Sequence, residues 1–151
     1  MEINEIVDIM EKILDETRTA ILATADIHGR PHLRWMTPAF IKGRRGIMYA
    51  VTSPQFAKTI QLEANPEAEW MLQTHSLDEV INIRCKINII DNPSVKNEVL
   101  EALGRKLTVF WKVNMETDFI VLETVPEEAV YFRPMKGIKE IVSFGGQEVS
   151  Q

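Results

Sequence analysis

The stretch "TRTAILATADIHGRPHLRWMTPAFI", residues 17–41, decides how this chain is read. Its first ten residues are small or β-branched and apolar enough for a strand. "DIHGR" (26–30) then supplies a turn built on Gly29. Residues 31–41 return as a second strand, with Arg34 and Trp35 side by side among Leu33, Met36 and Phe40. A solvated strand face explains the charge alone. A bound anion beside an apolar ring explains both the charge and the aromatic. "KGRR" (42–45) is the densest basic cluster and reads as a hairpin turn with solvated charges. "IMYAVT" (47–52) is the third strand, and three closely spaced strands predict an antiparallel meander.

Outward from that block the pattern continues. Ile6, Val7, Met10, Ile13 and Leu14 share one helical face, so residues 1–16 hold an N-terminal helix, with Asn4 as the expected N-cap. In "SPQFAKTIQLEANP" (53–66), Ser53 is the expected cap and Pro54 the first helical residue; Asn65-Pro66 ends the helix. "EAEWMLQT" (67–74) is a fourth strand. "EVINIRCKINII" (79–90) alternates apolar and polar residues with the period of a half-buried fifth strand. "DNPSVKNEVLEALG" (91–104) is a helix capped by Asn92 and closed by Gly104. "RKLTVFWKV" (105–113) reads as a short helix, and "DFIVLETV" (118–125) and "EAVYFRP" (128–134) as late strands. The tail, 145–151, reads as mobile.

One domain over residues 1–151 follows, with no internal repeat or linker. It is mainly β with inserted helices. Six or seven antiparallel strands favour a small closed or split barrel over a sandwich, because closure removes exposed edges.

The composition narrows the function classes. Apolar residues make up 45% and charged residues 26%, the balance of a soluble globular protein. The formal net charge is −5 and no basic stripe is evident, which argues against nucleic acid as a partner. No apolar run is long enough to span a bilayer. The acidic, amphipathic N-terminus is neither a secretory signal nor a transit peptide. Cys85 is the only cysteine, so a cytoplasmic location is expected.

Chemistry concentrates where the third strand runs into "TSP". A helix start presents unpaired N–H groups and the positive end of its dipole. Thr52 and Ser53 add hydroxyls, and Lys58, expected in the second turn, adds an ammonium. Such a junction can hold a phosphate. A meander would bring Arg34 alongside on the neighbouring strand, and its planar fork suits phosphate oxygens. The same Ser-Pro pair is also ordinary capping chemistry, and Trp35 and Met36 are equally at home in a barrel core.

Taken in order, three blocks resemble the pyridoxamine 5′-phosphate oxidase-like flavin-binding split barrels, above all the smaller general-stress-protein branch. They are residues 17–41, "GIMYAVTSPQFAKTIQLEANPEAEWML" (46–72) and "INIRCKINII" (81–90), with a fainter match in "TDFIVLETVPEEAVYF" (117–132). The resemblance implies a six-stranded antiparallel split β-barrel that forms a homodimer, with two flavin mononucleotide (FMN) sites at the interface. It implies FMN contacts at Arg34, Trp35, Met36, Thr37, Val51, Thr52, Ser53 and Lys58. Trp111 is the candidate that would reach across to the partner's site. An FMN-dependent oxidoreductase acting on a small-molecule substrate or electron donor is the implied activity, with no catalytic side chain assigned. The resemblance departs at Val80, where pyridoxamine phosphate oxidases carry Gln, and at Ala57-Lys58, where they often carry Arg-Lys. Near the C-terminus "YFRPMKGIKE" (131–140) offers Arg133 but not the full substrate-binding pattern, so the likeness does not extend to pyridoxamine 5′-phosphate as substrate.

A flavin-binding or redox-sensing stress protein without turnover needs the same contacts, and related barrels hold haem or a deazaflavin. Haem would look to His32 or His75 for an axial ligand. Three histidines without Cys or carboxylate at ligand spacing give no metal site. His28 is expected in solvent at its turn, and Cys85 within a strand core.

Overall fold

Strict alternation makes the central strand of this molecule. The computed structural model describes residues 1–53, 55–104 and 119–145. In β6 (Val80–Ile90), Ile81, Ile83, Cys85 and Ile87 are buried while Arg84, Lys86 and Asn88 reach solvent or its margin. β6 pairs with β5 (Glu67–Gln73) along one edge and with β7 (Ile120–Arg133) along the other. The two late strands expected from the sequence are one continuous strand. Pro126 and Glu127 read as a break, but a bulge absorbs them: Cys85 faces Pro126 and Arg84 faces Glu128, leaving Glu127 as the extra residue.

The remaining elements are α1 (Ile3–Thr17), β1 (Ala20–Ala25), β2 (Pro31–Met36), β3 (Ala39–Phe40), β4 (Met48–Thr52), α2 (Ala57–Ala64), α3 (Pro93–Leu103) and β8 (Ile138–Ser143). The sheet is antiparallel with order β2-β1-β5-β6-β7-β4-β3, and β8 pairs with β7 beside that path. β7 therefore borders three strands: β6 along its length, β4 at its start and β8 at its end.

The expected meander is corrected at Thr37-Pro38. Residues 31–40 do not form one strand lying between β1 and β4. β2 pairs with β1, and β3 pairs with β4 through Ala39↔Tyr49 and Phe40↔Met48. Proline has no N–H to give a ladder, so the strand changes partner there. The two ends of the sheet are thus joined by one stretch of chain, and the sheet curls into a split barrel. Eight strands appear where six were implied, because this stretch divides and the short β8 gave too weak a signal.

The apolar stripe of α1 is fully engaged. Ile6, Val7, Met10, Ile13 and Leu14 are buried against Leu22, Trp70, Leu72, Ile83 and Leu122 of the sheet. The helix begins before the expected Asn4 cap, with Glu2 N donating to Glu5 Oε1 at 3.3 Å. A second core joins Tyr49, Val51 and Val121 to Val99 and Leu103 of α3. Asn92 caps α3 as expected, accepting from the Ser94 and Val95 amides at 2.9 and 3.3 Å.

The basic turn is not simply solvated. Arg45 pairs with Asp8 and Glu11 and donates to Asn4 Oδ1 at 2.9 Å, while Arg44 meets Glu98 at 3.4 Å. These contacts tie the turn to α1 and α3. The short helix expected at 105–113, Trp111 within it, and residues 146–151 of the tail lie outside the described residues.

Candidate anion site

The helix after β4 starts later than the capping signal suggested. Phe56 is its N-cap and Ala57 its first residue, so Lys58 stands in the first turn rather than the second. Ser53 instead shapes the turn that leads in. Its Oγ accepts from the Gln55 amide at 3.2 Å, and its carbonyl accepts from Thr59 Oγ1 at 2.8 Å. Thr52 and Ser53 are both buried, and Thr52 Oγ1 has no hydrogen-bond partner among the described residues.

Arg34 reaches this helix by another route than the one expected. It lies opposite Leu22 in the β1–β2 ladder. Its Nη1 donates to Thr24 Oγ1 at 2.7 Å and to the Leu22 carbonyl at 3.3 Å. Thr24 Oγ1 in turn donates to Gln61 Oε1 of α2 at 2.6 Å. β4 is not the neighbour of β2; α2, lying across β1, brings Lys58 towards Arg34.

The electrostatics follow from that placement. Burial lowers the Lys58 pKa, and the Arg34 charge lowers it further; burial also lowers that of Arg34. Neither cation has a carboxylate within ion-pair distance among the described residues. Lys58 Nζ rests over the Phe56 ring, 4.5 Å from its centroid. Two half-buried like charges without a counterion are costly, and an anion between them offsets that cost. The Nε and Nη2 edge of Arg34 carries no hydrogen bond among the described residues, and that edge suits two oxygens of one phosphate. The open Arg34 edge and the Lys58 ammonium are a donor set that fits the phosphate of a mononucleotide.

The other expected contacts fall elsewhere. Trp35 and Leu33 point to the opposite face of β2 and are 63% and 71% exposed. Met36 shares the Arg34 face and packs on the main core. Thr37 lines a different cavity, of about 430 Å³, with Arg18, Phe40 and Lys42. The Val51 side chain is buried in the second core beneath α3. The structure thus brings Arg34 and Lys58 near each other beside α2, and places Trp35, Thr37 and Val51 on other surfaces. Thr24 and Gln61 were not singled out in the sequence. Gln61 stands three residues after Lys58, on the same helix face, which was a legible signal.

His32 lies on the Arg34 face, with Nε2 at 3.0 Å from Asp26 Oδ2. That hydrogen bond, with those from the Arg30 and His28 amides, lowers the Asp26 pKa. His28 is exposed at its turn, as expected, and His75 lines a cavity of about 410 Å³ with Lys12, Glu79 and Arg133. Cys85 is buried, and burial pushes its thiol pKa up to about 12. Among the described residues no group of three His, Cys, Asp or Glu could hold a metal ion, and no helix is long and apolar enough to cross a membrane.

Known proteins share this architecture. General Stress Protein 26 from Bacillus anthracis is 19% identical over 92% of this chain and 98% of its own, with a TM-score of 0.67. A pyridoxamine 5′-phosphate oxidase-related, FMN binding protein from Nostoc punctiforme is 14% identical over 90% of this chain and 94% of its own, with a TM-score of 0.66. A heme binding protein from Mycobacterium smegmatis is 14% identical over 91% of this chain and 57% of its own, with a TM-score of 0.72. No curated protein matches the chain. The family model for pyridoxamine 5′-phosphate oxidase matches residues 6–132, and the chain belongs to that family.

Proposed function

We propose that this protein binds FMN and acts as an FMN-dependent oxidoreductase on a small-molecule substrate or electron donor. The observation that carries the reading is the meeting of two half-buried cations, Arg34 and Lys58, neither of them ion-paired to a carboxylate among the described residues. Thr52 and Ser53 would complete the phosphate cradle at the entrance to α2. Met36 would continue along the flavin from Arg34, and Thr37, Val51, Trp35 and Trp111 remain proposed contacts. Bound FMN supplies the redox chemistry through its ring, so the protein's own task is to hold, orient and shield it. The match to the family and the FMN binding relative support this reading.

A second copy of the chain would complete the site as a homodimer. Leu33 and Trp35 form an exposed apolar corner, and their ladder partners Ala23 and Ile21 are only partly buried. Apolar corners of this kind are suited to burial against another subunit. A reducing cytoplasm suits the lone buried thiol of Cys85.

The test is a visible spectrum of the purified protein with added FMN. Flavin bands that bleach anaerobically with NADH or NADPH support the oxidoreductase. Bound flavin inert to every electron donor tried indicates a binding protein without turnover. The heme binding relative gives the competing outcome a form, since a Soret band on adding haem, with no flavin bound, would overturn the FMN reading.

A further inference from the structure

The direction of two hydrogen bonds at Thr24 Oγ1 is set by chemistry. A guanidinium only donates, so Thr24 Oγ1 must accept from Arg34 Nη1 at 2.7 Å. The one hydroxyl proton of Thr24 is then free for Gln61, which must present its Oε1, at 2.6 Å. The Gln61 amide is thereby locked with its NH₂ group turned away from Thr24. That NH₂ has no partner among the described residues, and Gln61 shares a helix face with Lys58, three residues earlier. Thr24 is 3% exposed, so water does not compete for its hydroxyl.

We propose that Thr24 and Gln61 are positioning residues that aim the free edge of Arg34 at a bound phosphate, and that the Gln61 NH₂ is a neutral third donor to it. The chain of bonds couples β2 to α2 through β1. It holds the guanidinium with its Nη1 occupied and its Nε and Nη2 edge open. This inference rests on the FMN reading above and assigns the phosphate end of the site two residues that the family resemblance did not supply.

The test compares FMN with riboflavin, which lacks the phosphate, by flavin fluorescence quenching. Thr24→Val keeps shape and removes the hydroxyl. It should weaken FMN by about tenfold and leave riboflavin within about twofold, the size expected when a charge-assisted contact is misaimed. Thr24→Ser should restore FMN binding. Gln61→Glu can still accept from Thr24, yet its charge pairs with the cations, so it should abolish the preference for FMN. A second readout needs no flavin: rotation of the Arg34 guanidinium, followed by nitrogen NMR, should be slow in the wild type and in Thr24→Ser and fast in Thr24→Val. An unchanged FMN-to-riboflavin ratio in folded Thr24→Val and Gln61→Glu overturns the proposal while the FMN reading stands. A wild-type protein that binds both flavins equally overturns the phosphate reading itself, even if Arg34 is held as described.

Discussion

Arg34 on a strand and Lys58 on a helix lie close enough for the arginine's charge to lower the lysine's pKa. Residues two dozen positions apart are rarely placed so without a reason, because like charges repel and both are half-buried. Arg34→Ala and Lys58→Ala should each weaken FMN by more than about tenfold, from the loss of a charged hydrogen bond worth roughly 1.5–3 kcal/mol. Riboflavin affinity should change little. Equal weakening of both flavins, measured by titration, would count against the phosphate assignment. Without ligand, Lys58→Met should slightly raise the midpoint of thermal unfolding, because it removes the repulsion.

The lowered Lys58 pKa also fixes a pH dependence. A bound phosphate favours the charged lysine, so binding is strongest where Lys58 is protonated. FMN affinity should therefore fall as pH rises through the lowered pKa, below the ordinary lysine value of about 10.4. On the acid side affinity should fall below about pH 6, where the phosphate loses its second charge. Arg34 stays charged throughout. Riboflavin should show neither limb, and Lys58→Met should lack the alkaline one.

Cys85 should be inert in the folded protein. Its side chain is fully buried and its thiol pKa lies near 12, so almost no thiolate exists at pH 8. Thiol reagents should label it only after denaturant unfolds the chain, and its labelling rate then reports global opening. Rapid native labelling would show that β6 is not the closed strand described here.

Trp70 Nε1 donates to Thr124 Oγ1 at 2.9 Å inside the main core. Both residues are 1% exposed, so the indole has no water to turn to. Thr124→Val should cost about 1–3 kcal/mol in urea unfolding, the penalty for a buried donor left unmade. A loss well under 1 kcal/mol would mean that the core relaxes to supply another acceptor.

Trp35→Glu puts a charge on the exposed apolar corner without touching the core. If a second copy covers that corner, the variant should fold normally and run as a monomer by light scattering. An unchanged dimer, or a wild type that is already monomeric at micromolar concentration, would remove this face as the interface.

Much of the fold could be read from the residues. The alternation in 79–90 and the helical stripe of Ile6, Val7, Met10, Ile13 and Leu14 lie where they were expected, because burial enforces a period along a single element. Pairing between elements was less legible. Pro38 in "RPHLRWMTPAF" is a local sign of a break, but nothing local says that the strand passes there from β1 to β4. The bulge at Glu127 hid a continuous strand for the same reason. At the site, residue type identified Arg34 and Lys58. Their meeting depends on α2 crossing β1, which no spacing in the chain encodes. Thr24 passed as one more strand threonine, since its role lies in the two side chains it touches.

β7 belongs to the ladders of β6, β4 and β8 at once. No part of the barrel wall next to it can detach while leaving it intact on both sides, so its amides should be the last to exchange with deuterium. A residue added within this shared spine would throw the registers of its neighbouring strands out of step together.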